Sequence, residues 1–366
     1  MKSKKIITVV GARPQFIKAA VISRLINERY NYINEIMVHT GQHFDQNMSD
    51  IFFNELDITK PSYFLNINNT SHGEMIGRMI IELEKIFIKE NPACVLVYGD
   101  TNSTLAGGIA AKKLNIPIAH IEAGVRNFDE EMPEESNRYL VDRLSDINFC
   151  CTDKSFNNLI SEGFGSKEMN KKFFNSGDLM HDAAIFESSK EKDVSAVCNK
   201  ILQNNNSFIL ATIHRASNTD DLDSLSAIIH DLNSIHKKNN IVMLTHPRTK
   251  DKIESFKLKP KFKLYEPLGH FDTLKLLRSS MSVITDSGGL VREAYFFDKK
   301  SVFVLSNPVW PELIQAGVCL NVEPVRNKII DAQLQIENNE SRWPEGIFGD
   351  GKAGQKILRE LVKFLN

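Results

Sequence analysis

The chain has 366 residues, which is enough for two domains of ordinary size, each with its own hydrophobic core. Its 45 basic residues are balanced by 46 acidic ones, which argues against a broad electrostatic surface for nucleic acid or an anionic membrane. The five cysteines show no CxxC spacing and indicate neither a disulfide framework nor a zinc site. No apolar run approaches the roughly 20 residues that span a bilayer, so we expect a cytoplasmic protein.

Short β-branched runs alternate with amphipathic helical stretches along the chain, a pattern typical of parallel sheets covered by helices on both faces. The first half has predicted strands at 5–10, 35–39, 94–98, 116–121, 147–151 and 172–176. After a polar stretch the pattern restarts, with predicted strands at 207–213, 241–245, 262–266, 282–285 and 301–305. The predicted fold class is α/β, with two Rossmann-like, doubly wound domains and a ligand cleft between them.

The predicted domains are residues 1–180 and 181–351. The last segment, 352–366, is predicted to be an amphipathic helix that returns to pack on the N-terminal domain. In doubly wound sheets, ligands bind at the carboxyl ends of the strands. Polar residues at those ends are therefore the candidates for function.

The first predicted strand turns through Gly11 into a helix that carries Arg13 and Lys18. Two cations beside a helix N-terminus suit a diphosphate. The turn lacks both the GxGxxG of dinucleotide-binding folds and the Walker Gly-Lys-Ser/Thr, so neither NAD nor a P-loop nucleotide is indicated. The alternative is that both cations are solvated residues of a first helical turn.

Three carboxylates follow in the first half. Asp100 and Glu122 each come at the end of a buried strand, and Glu134 lies in a first helical turn after Pro133. Carboxylates that share a cleft push their pKa values apart, which separates acid and base roles. For Asp100 the alternative is a helix N-cap, and for Glu134 it is a favourable interaction with the helix dipole.

His214 and Arg215 follow the first predicted strand of the second half. A lone histidine is by default a core residue, but at a strand end beside an arginine a contact to a ligand is favoured. Together with the three carboxylates, His214 predicts proton chemistry on a substrate held at the strand ends. We find no histidine, cysteine and carboxylate spacing typical of a metal site, and expect neither a metal nor NAD as cofactor.

The stretch from Val283 to Glu293 runs from an apolar strand through Ser287, Gly288 and Gly289 into a helix. The glycines let a ligand approach the backbone, and the helix N-terminus attracts an anion such as phosphate. Glu293, about one turn later, could accept both hydroxyl hydrogens of a ribose. The stretch therefore indicates a nucleotide, with simple packing of small residues as the alternative.

These motifs recur in the order found in one family, and the chain resembles the non-hydrolysing UDP-N-acetylglucosamine 2-epimerases over nearly its whole length. The matching motifs are Gly11-Ala-Arg-Pro with Lys18, Thr40-Gly-Gln-His43, Gly99-Asp-Thr101, His120-Ile-Glu-Ala-Gly124 with Arg126, Pro133-Glu-Glu-Ser-Asn-Arg138, His214-Arg215, and Thr285-Asp-Ser-Gly-Gly289 with Glu293. The resemblance implies a GT-B fold, a homodimer, and a role in the synthesis of bacterial surface polysaccharide precursors.

The implied reaction interconverts UDP-N-acetylglucosamine and UDP-N-acetylmannosamine without NAD or metal. UDP is eliminated to leave a 2-acetamidoglucal and then adds back, with the C2 proton returned on the other face. By resemblance, the acid/base groups fall on Asp100, Glu122, Glu134 and His214. The implied UDP ligands are Arg13, Lys18, His214, Ser287, Gly288, Gly289 and Glu293. The sequence does not say which carboxylate removes the proton.

The chain also departs from the family pattern. Members usually carry Arg-Asp and then Thr-Glu-Arg or Thr-Glu-Trp after the strand at 301–305, where this chain has Leu305-Ser306 and Pro308-Val309-Trp310. One cation and two carboxylates are therefore missing. The segments Glu293-Ala-Tyr-Phe-Phe297 and Gly349-Asp-Gly351 are most similar to members acting on UDP-2,3-diacetamido-2,3-dideoxyglucuronic acid, which is the alternative substrate.

Gln42 and His43 match a site at which some bacterial relatives bind a second UDP-sugar as an allosteric activator. Two further functions stay open. A GT-B glycosyltransferase would share the fold and the ribose contact of Glu293, and a non-catalytic sugar-nucleotide sensor would explain the missing charges.

Overall fold

The structure, a computed structural model, describes residues 4–42, 60–169, 171–189, 194–306, 308–339 and 342–366. It forms two compact units, Met1–Phe186 with Gly346–Asn366, and Glu187–Glu345. None of the helices in the described ranges is long and apolar enough to cross a membrane. His43, half of the predicted allosteric pair, lies outside the described residues.

A seven-stranded parallel sheet forms the centre of the first unit, as far as the structure describes it. In chain order its strands are β1 (Lys4–Val10), β2 (Ile33–His39), β3 (Tyr63–Phe64), β4 (Cys94–Tyr98), β5 (Ile118–Ala123), β6 (Ile147–Cys150) and β7 (Lys172–Asn175). They lie in the order β3-β2-β1-β4-β5-β6-β7. Among the described residues, the first six helices are α1 (Arg13–Arg29), α2 (His72–Glu90), α3 (Asn102–Lys113), α4 (Pro133–Leu144), α5 (Asp153–Ser161) and α6 (Leu179–Ser189).

The second unit has a parallel sheet with six strands in its described part. These are β8 (Phe208–Thr212), β9 (Asn240–Leu244), β10 (Leu264–Tyr265), β11 (Ser282–Thr285), β12 (Ser301–Val304) and β13 (Cys319–Val322). Their spatial order is β10-β9-β8-β11-β12-β13. The helices are α7 (Ala196–Asn204), α8 (Ala216–Thr219), α9 (Leu222–His236), α10 (Pro247–Ser255), α11 (His270–Ser279), α12 (Gly288–Phe296), α13 (Pro311–Gln315) and α14 (Lys328–Glu337).

Both sheets have the strand order of a doubly wound fold, which confirms the predicted α/β class. In each sheet the order reverses once, between β1 and β4 and between β8 and β11, and ligand crevices form at such points. The central strands are rich in apolar residues because helices cover both faces; all five residues of β4 are buried. The two strands not predicted, β3 and β13, are short edge strands and partly exposed, so they lack that apolar signature.

The last helix, α15 (Ala353–Leu365), belongs to the first unit. Its first two amides, those of Ala353 and Gly354, donate to the carboxylate of Asp182 in α6, with N–O distances of 2.9 and 2.8 Å. Gly354 allows a close approach to α1, since an added Cβ would lie 2.6 Å from a methyl carbon of Leu25. Asp182 thus anchors the N-terminus of α15.

We expect the Asp182→Asn variant to differ from the natural chain in how its stability changes with pH. Burial raises the pKa of Asp182 from 3.8 to about 6, although hydrogen bonds from two amides oppose the shift. The folded chain therefore holds this proton more tightly than the unfolded chain. The resulting stability is present at low pH and is lost as the pH rises through about 6; it amounts to at most about 3 kcal/mol.

Urea unfolding of both proteins between about pH 4 and pH 7 measures this effect. The free energy of unfolding of the natural chain should fall relative to that of the variant as the pH rises. A constant difference across the range would contradict the shifted pKa.

Candidate active site

The side chain of Gln15 forms hydrogen bonds to the turns after β1 and β4, the two strands between which the strand order of the first sheet reverses. Its side chain is only 1% exposed. Oε1 accepts from the main-chain N–H groups of Gly11 and Ala12, at 2.7 and 3.0 Å. Nε2 donates to the carbonyl oxygen of Tyr98 at 2.7 Å and to the hydroxyl of Thr101 at 2.9 Å. The two predicted ligand turns of the first unit are therefore one hydrogen-bonded piece.

Asp100 is held in place by Arg138 of α4. Nε and Nη2 of Arg138 donate to one carboxylate oxygen of Asp100, at 2.9 and 2.7 Å. Asn137 donates to the main-chain oxygen of Asp100 at 2.8 Å. The guanidinium is buried, whereas the side chain of Asp100 is 27% exposed. Its carboxylate is thus fixed by a buried cation and remains open to a ligand.

Glu122 has a left-handed backbone, with φ of 75°, at the point where the register between β5 and β6 shifts. In a non-glycine residue this conformation costs roughly 1–3 kcal/mol, and such strain concentrates at functional sites. The carboxylate lies 2.6 Å from the ammonium of Lys18. A Cβ added to Gly99, the residue before Asp100, would lie 3.4 Å from the other carboxylate oxygen. The structure therefore brings Glu122, Lys18 and the Asp100 turn together.

The neighbouring acidic residues Glu134 and Glu135 occupy different surroundings. Glu134 is exposed, and Glu135 is 1% exposed. The Glu135 carboxylate accepts from the main-chain N–H groups of Asn127 and Phe128 and pairs with Arg138 at 2.6 Å. Glu135 therefore anchors the loop before α4, and the acid/base role of Glu134 stays a prediction.

Gln42, the described half of the predicted allosteric pair, lies at the N-terminus of α3. Its Oε1 accepts from the main-chain N–H and the hydroxyl of Ser103, at 3.0 and 2.8 Å. The Ser103 hydroxyl also lies 2.8 Å from that of Thr40. Arg13, half-buried, begins α1. That Gln42 binds an allosteric UDP-sugar and that Arg13 binds UDP stay predictions.

Asp286 lies where the strand order of the second sheet reverses, and it forms hydrogen bonds to the turn that follows β8. Its fully buried carboxylate accepts from the main-chain N–H groups of His214 and Arg215 and from the amide of Asn218, at 2.9 to 3.1 Å. Its carbonyl oxygen accepts from Nε of Arg215 at 2.9 Å. Burial alone would raise the pKa of Asp286, but the charge and hydrogen bonds of His214 and the two amides hold it below the usual range.

His214 presents an exposed ring to solvent while one nitrogen is held. Its Nδ1 lies 3.1 Å from the carboxylate of Asp286, and its side chain is 45% exposed. A carboxylate that fixes one ring nitrogen leaves the other free to exchange a proton or to bind a phosphate oxygen. The position suits both roles predicted for His214.

The turn at the start of α12 has the form of an anion site. The hydroxyl of Ser287 caps the helix by accepting from the N–H of Leu290 at 3.3 Å. Gly288 and Gly289 are the first helical residues, and a Cβ added to Gly289 would meet only the Ser287 hydroxyl, at 3.7 Å. The space beside Gly289 is therefore open, whereas a Cβ added to Gly288 would lie 3.6 Å from the indole nitrogen of Trp310. Backbone amides and the helix dipole both favour a phosphate there.

Trp310 supports the same turn. Its indole N–H donates to the carbonyl oxygen of Gly288 at 2.9 Å. The guanidinium of Arg292 lies 4.7 Å from the centre of the Trp310 ring, and both residues are buried. Trp310 thus fixes the first turn of α12, and Arg292 stacks on its ring as a buried cation.

Residues 26–362 match the model of the family described as UDP-N-acetylglucosamine 2-epimerase. The chain belongs to this family. The resemblance predicted from the order of the motifs is confirmed, and with it the predicted enzyme class, an isomerase.

Relatives of this epimerase family match nearly the whole chain. The UDP-2,3-diacetamido-2,3-dideoxy-D-glucuronate 2-epimerase of Pseudomonas aeruginosa is 45% identical over 360 residues, which are 98% of this chain and 99% of that protein. The Methanocaldococcus jannaschii UDP-GlcNAc 2-epimerase, solved with UDP-GlcNAc and UDP, is 35% identical with a TM-score of 0.87, over 98% and 99% of the two chains. The Neisseria meningitidis enzyme bound to UDP-GlcNAc is 30% identical, also with a TM-score of 0.87, over 98% and 100%.

These structural matches confirm the predicted two-domain α/β fold of GT-B type. Within the described ranges of this epimerase, no group of three or more His, Cys, Asp or Glu side chains could hold a metal ion.

Three residues that organise the site were not among the predicted site residues. Asp286 follows an apolar strand as Asp100 does, so its position was a usable signal. Arg138 lies in a motif shared with the epimerases, but its pairing with Asp100 depends on how α4 packs against β5 and α3. No sequence pattern indicated the role of Gln15, because its partners Tyr98 and Thr101 are more than 80 residues away.

We expect the Glu293→Ala variant to bind UDP about tenfold or more weakly. Glu293 lies half-buried in α12, within two turns of Ser287. Loss of hydrogen bonds from two ribose hydroxyls to a charged carboxylate costs about 1.5–3 kcal/mol, and each 1.4 kcal/mol is tenfold in affinity. Titration calorimetry with UDP measures the change.

The matched control is Glu254→Ala, which removes an exposed carboxylate of α10. This variant should bind UDP as the natural chain does. Equal affinity of the two variants would remove Glu293 from the ribose site.

Proposed function

We propose that this chain is a non-hydrolysing 2-epimerase of UDP-2-acetamido sugars, which inverts carbon 2 by eliminating UDP and adding it back. The observation that carries the proposal is the pair of carboxylates at the ends of β4 and β5, Asp100 and Glu122, each beside a buried cation. A C2–H bond is a weak acid, so its cleavage needs a base, and proton return on the opposite face needs a second group. Two carboxylates at one edge of a sheet can supply them.

The roles proposed for individual residues follow from their surroundings. Glu122 sits on a strained backbone against Lys18, and Asp100 is fixed by Arg138 but partly exposed. Either carboxylate is a candidate for removing the C2 proton. We keep Glu134 and His214 as further acid/base candidates, because both are exposed to an incoming substrate.

The departing diphosphate has to be stabilised as charge develops on it. We propose that the amides of Ser287, Gly288 and Gly289 at the start of α12 bind it, with Glu293 on the ribose. His214, Arg13 and Lys18 are the other proposed UDP ligands, although Lys18 also pairs with Glu122. As the resemblance implies, neither NAD nor a metal takes part in the proposed reaction.

We propose UDP-2,3-diacetamido-2,3-dideoxy-D-glucuronate as the substrate. The relative named for that sugar is 45% identical over 98% of this chain, and the segments at Glu293–Phe297 and Gly349–Gly351 resemble the same branch. UDP-N-acetylglucosamine is the second candidate, because it is the ligand in the two solved relatives.

Incubation of each UDP-sugar in deuterated water, followed by NMR at C2, tests both the reaction and the substrate. Elimination and re-addition must install deuterium at C2 of the product. Product formation without deuterium at C2 would rule out elimination and re-addition of UDP. The sugar with the larger kcat/KM for exchange is the substrate, and a clear preference for UDP-N-acetylglucosamine would overturn the proposed choice.

The same experiment separates the other functions. A glycosyltransferase would release UDP and transfer the sugar to an acceptor without exchange at C2. A sugar-nucleotide sensor would bind tightly in calorimetry and leave every sugar in the panel unchanged.

We also propose a cytoplasmic homodimer that supplies precursors of bacterial surface polysaccharide, as the resemblance implies. The face of α2 that carries the exposed side chains Ile81 and Ile88 is a candidate contact surface. Light scattering of the purified chain measures its mass, and a monomer at micromolar concentration would contradict the dimer.

A further inference from the structure

Asp142 of α4 is a buried carboxylate that the proposed chemistry does not use. Its side chain is fully buried. One oxygen lies 2.7 Å from Nδ1 of His120. The other accepts from the main-chain N–H of Gly124 at 3.1 Å and from Nη2 of Arg126 at 2.7 Å. Burial alone would raise the pKa of Asp142, but the hydrogen bonds and charges of His120 and Arg126 hold it below its usual range.

Two of the residues bonded to Asp142 flank Glu122 in the sequence. His120 is two residues before Glu122 and Gly124 is two residues after it. Both Glu122 and Gly124 have φ of 75°. A Cβ on Gly124 would lie 2.2 Å from the carbonyl oxygen of Ser155, so this part of the turn admits only glycine. One carboxylate therefore holds both ends of the strained segment that carries Glu122.

The other nitrogen of His120 extends this connection to the Asp100 turn. Nε2 lies 2.7 Å from the carbonyl oxygen of Gly99, the residue before Asp100. Both partners of the ring are acceptors, a carboxylate and a carbonyl, so each ring nitrogen has to donate. Both contacts are satisfied as hydrogen bonds when each ring nitrogen carries a hydrogen.

Charge balance is consistent with this protonation. Arg126 is paired with Asp142 and, at 2.8 Å, with Glu162. Asp142 and Arg126 have fully buried side chains and that of Glu162 is 16% exposed, so two carboxylates and one guanidinium would leave a net negative charge largely shielded from water, which is costly. A protonated His120 makes the set of four side chains neutral.

We propose that Asp142 is a positioning residue, which acts through His120 and Gly124 to fix the relative placement of Glu122 and Asp100. This inference rests on the proposed epimerase function, because it assigns Asp142 a role only through those two carboxylates. A purely structural ion pair would stabilise the fold without favouring one catalytic step. A positioning residue should instead affect kcat far more than substrate binding, which depends on contacts elsewhere.

The first test is the Asp142→Asn variant, assayed by deuterium exchange at C2. We expect kcat to fall by about tenfold to a hundredfold, because displacements near 1 Å in a catalytic group have costs of that size. KM and the affinity for UDP should stay within about threefold. Arg126 keeps Glu162 as its partner, so the variant leaves no buried guanidinium without an anion.

His120→Gln and His120→Asn provide a second test that does not alter Asp142. Glutamine can place its amide near the position of Nε2 and retain the bond to Gly99, whereas asparagine can retain the bond to Asp142. Both variants should lose kcat, because each breaks the connection at one end. His230→Gln is the matched control, since His230 lies 3.0 Å from Asp231 in the second unit and is exposed; its kcat should be unchanged.

A spectroscopic measurement tests the connection without relying on activity. Spectra of the chain with ¹⁵N-labelled histidine should show two protonated ring nitrogens for His120, with the signal assigned by its loss in His120→Gln. A neutral ring with one proton in the natural chain would overturn the link between Asp142 and the Gly99 turn.

The kinetic outcomes separate this inference from the proposed function. Exchange by the natural chain together with an unchanged kcat in Asp142→Asn would overturn the positioning role alone. A parallel fall of kcat, UDP affinity and thermal stability would also overturn it, by showing a general structural role. Absence of C2 exchange in the natural chain on every sugar would instead overturn the proposed function.

Discussion

Replacing Glu122 by Gln is expected to lower the rate of C2 exchange by roughly a hundredfold or more while UDP still binds. That loss is the usual scale for a general acid or base. Glutamine keeps the size of the side chain but cannot take up the proton. The diphosphate contacts proposed for the Ser287–Gly289 turn lie in the other unit, and Lys18, the partner of Glu122, keeps its charge in the variant, so affinity for UDP should be retained. Deuterium exchange measures the rate, and calorimetry measures the affinity.

Asp100→Asn should behave in the same way, because the two carboxylates are proposed to share the proton transfers. Glu130→Gln is the matched control: Glu130 is exposed in the loop before α4, and its loss should leave the rate unchanged. Normal exchange in both Glu122→Gln and Asp100→Asn would remove these carboxylates from the mechanism.

The Asp286→Asn variant should lose both stability and affinity for UDP. Asparagine can keep an oxygen at the position of Oδ2, where the main-chain N–H groups of His214 and Arg215 donate, but it carries no charge and places an amide nitrogen near Nδ1 of His214. Replacing hydrogen bonds to a buried charged acceptor by bonds to a neutral one costs about 1–3 kcal/mol. Because the same contacts hold the His214 turn beside Ser287, we expect affinity for UDP to fall by at least about tenfold.

The pH dependence of this effect follows from the lowered pKa of Asp286. A carboxylate whose pKa is lower in the folded chain contributes stability above its unfolded pKa of 3.8, and that contribution is lost as the pH falls through the folded value. Urea unfolding should therefore show a large difference between the two proteins at neutral pH and a smaller one below about pH 4. Asp331→Asn, an exposed residue of α14, is the control. Equal stability and UDP affinity of Asp286→Asn and the natural chain would contradict the role of Asp286.

The alternation of strands and helices could be predicted because it depends on the local pattern of apolar residues. That pattern located the strand ends, and hence Asp100, Glu122 and His214, without any knowledge of the fold. It did not identify β3 and β13, since an edge strand buries too little to need an apolar run.

The strained backbone of Glu122 could not be predicted from sequence. Its φ of 75° is usually the property of a glycine, and the Ile-Glu-Ala sequence contains none. The pairing of Glu135 rather than Glu134 with Arg138 could not be predicted either, because both are acidic residues of one helical turn. The contacts that Asp142 makes with His120 and Arg126 span some 20 residues and exist only once β5 and α4 pack together.

The hydrogen bonds of Gln15 have a consequence for changing the specificity of this enzyme. Because one amide side chain joins the loop after β1 to the loop after β4, neither loop has an independent conformation. A chimera that takes only one of them from a relative would leave the amide with mismatched partners in the interior. The smallest piece that can be exchanged is therefore discontinuous in sequence, and it consists of both loops together with the first turn of α1.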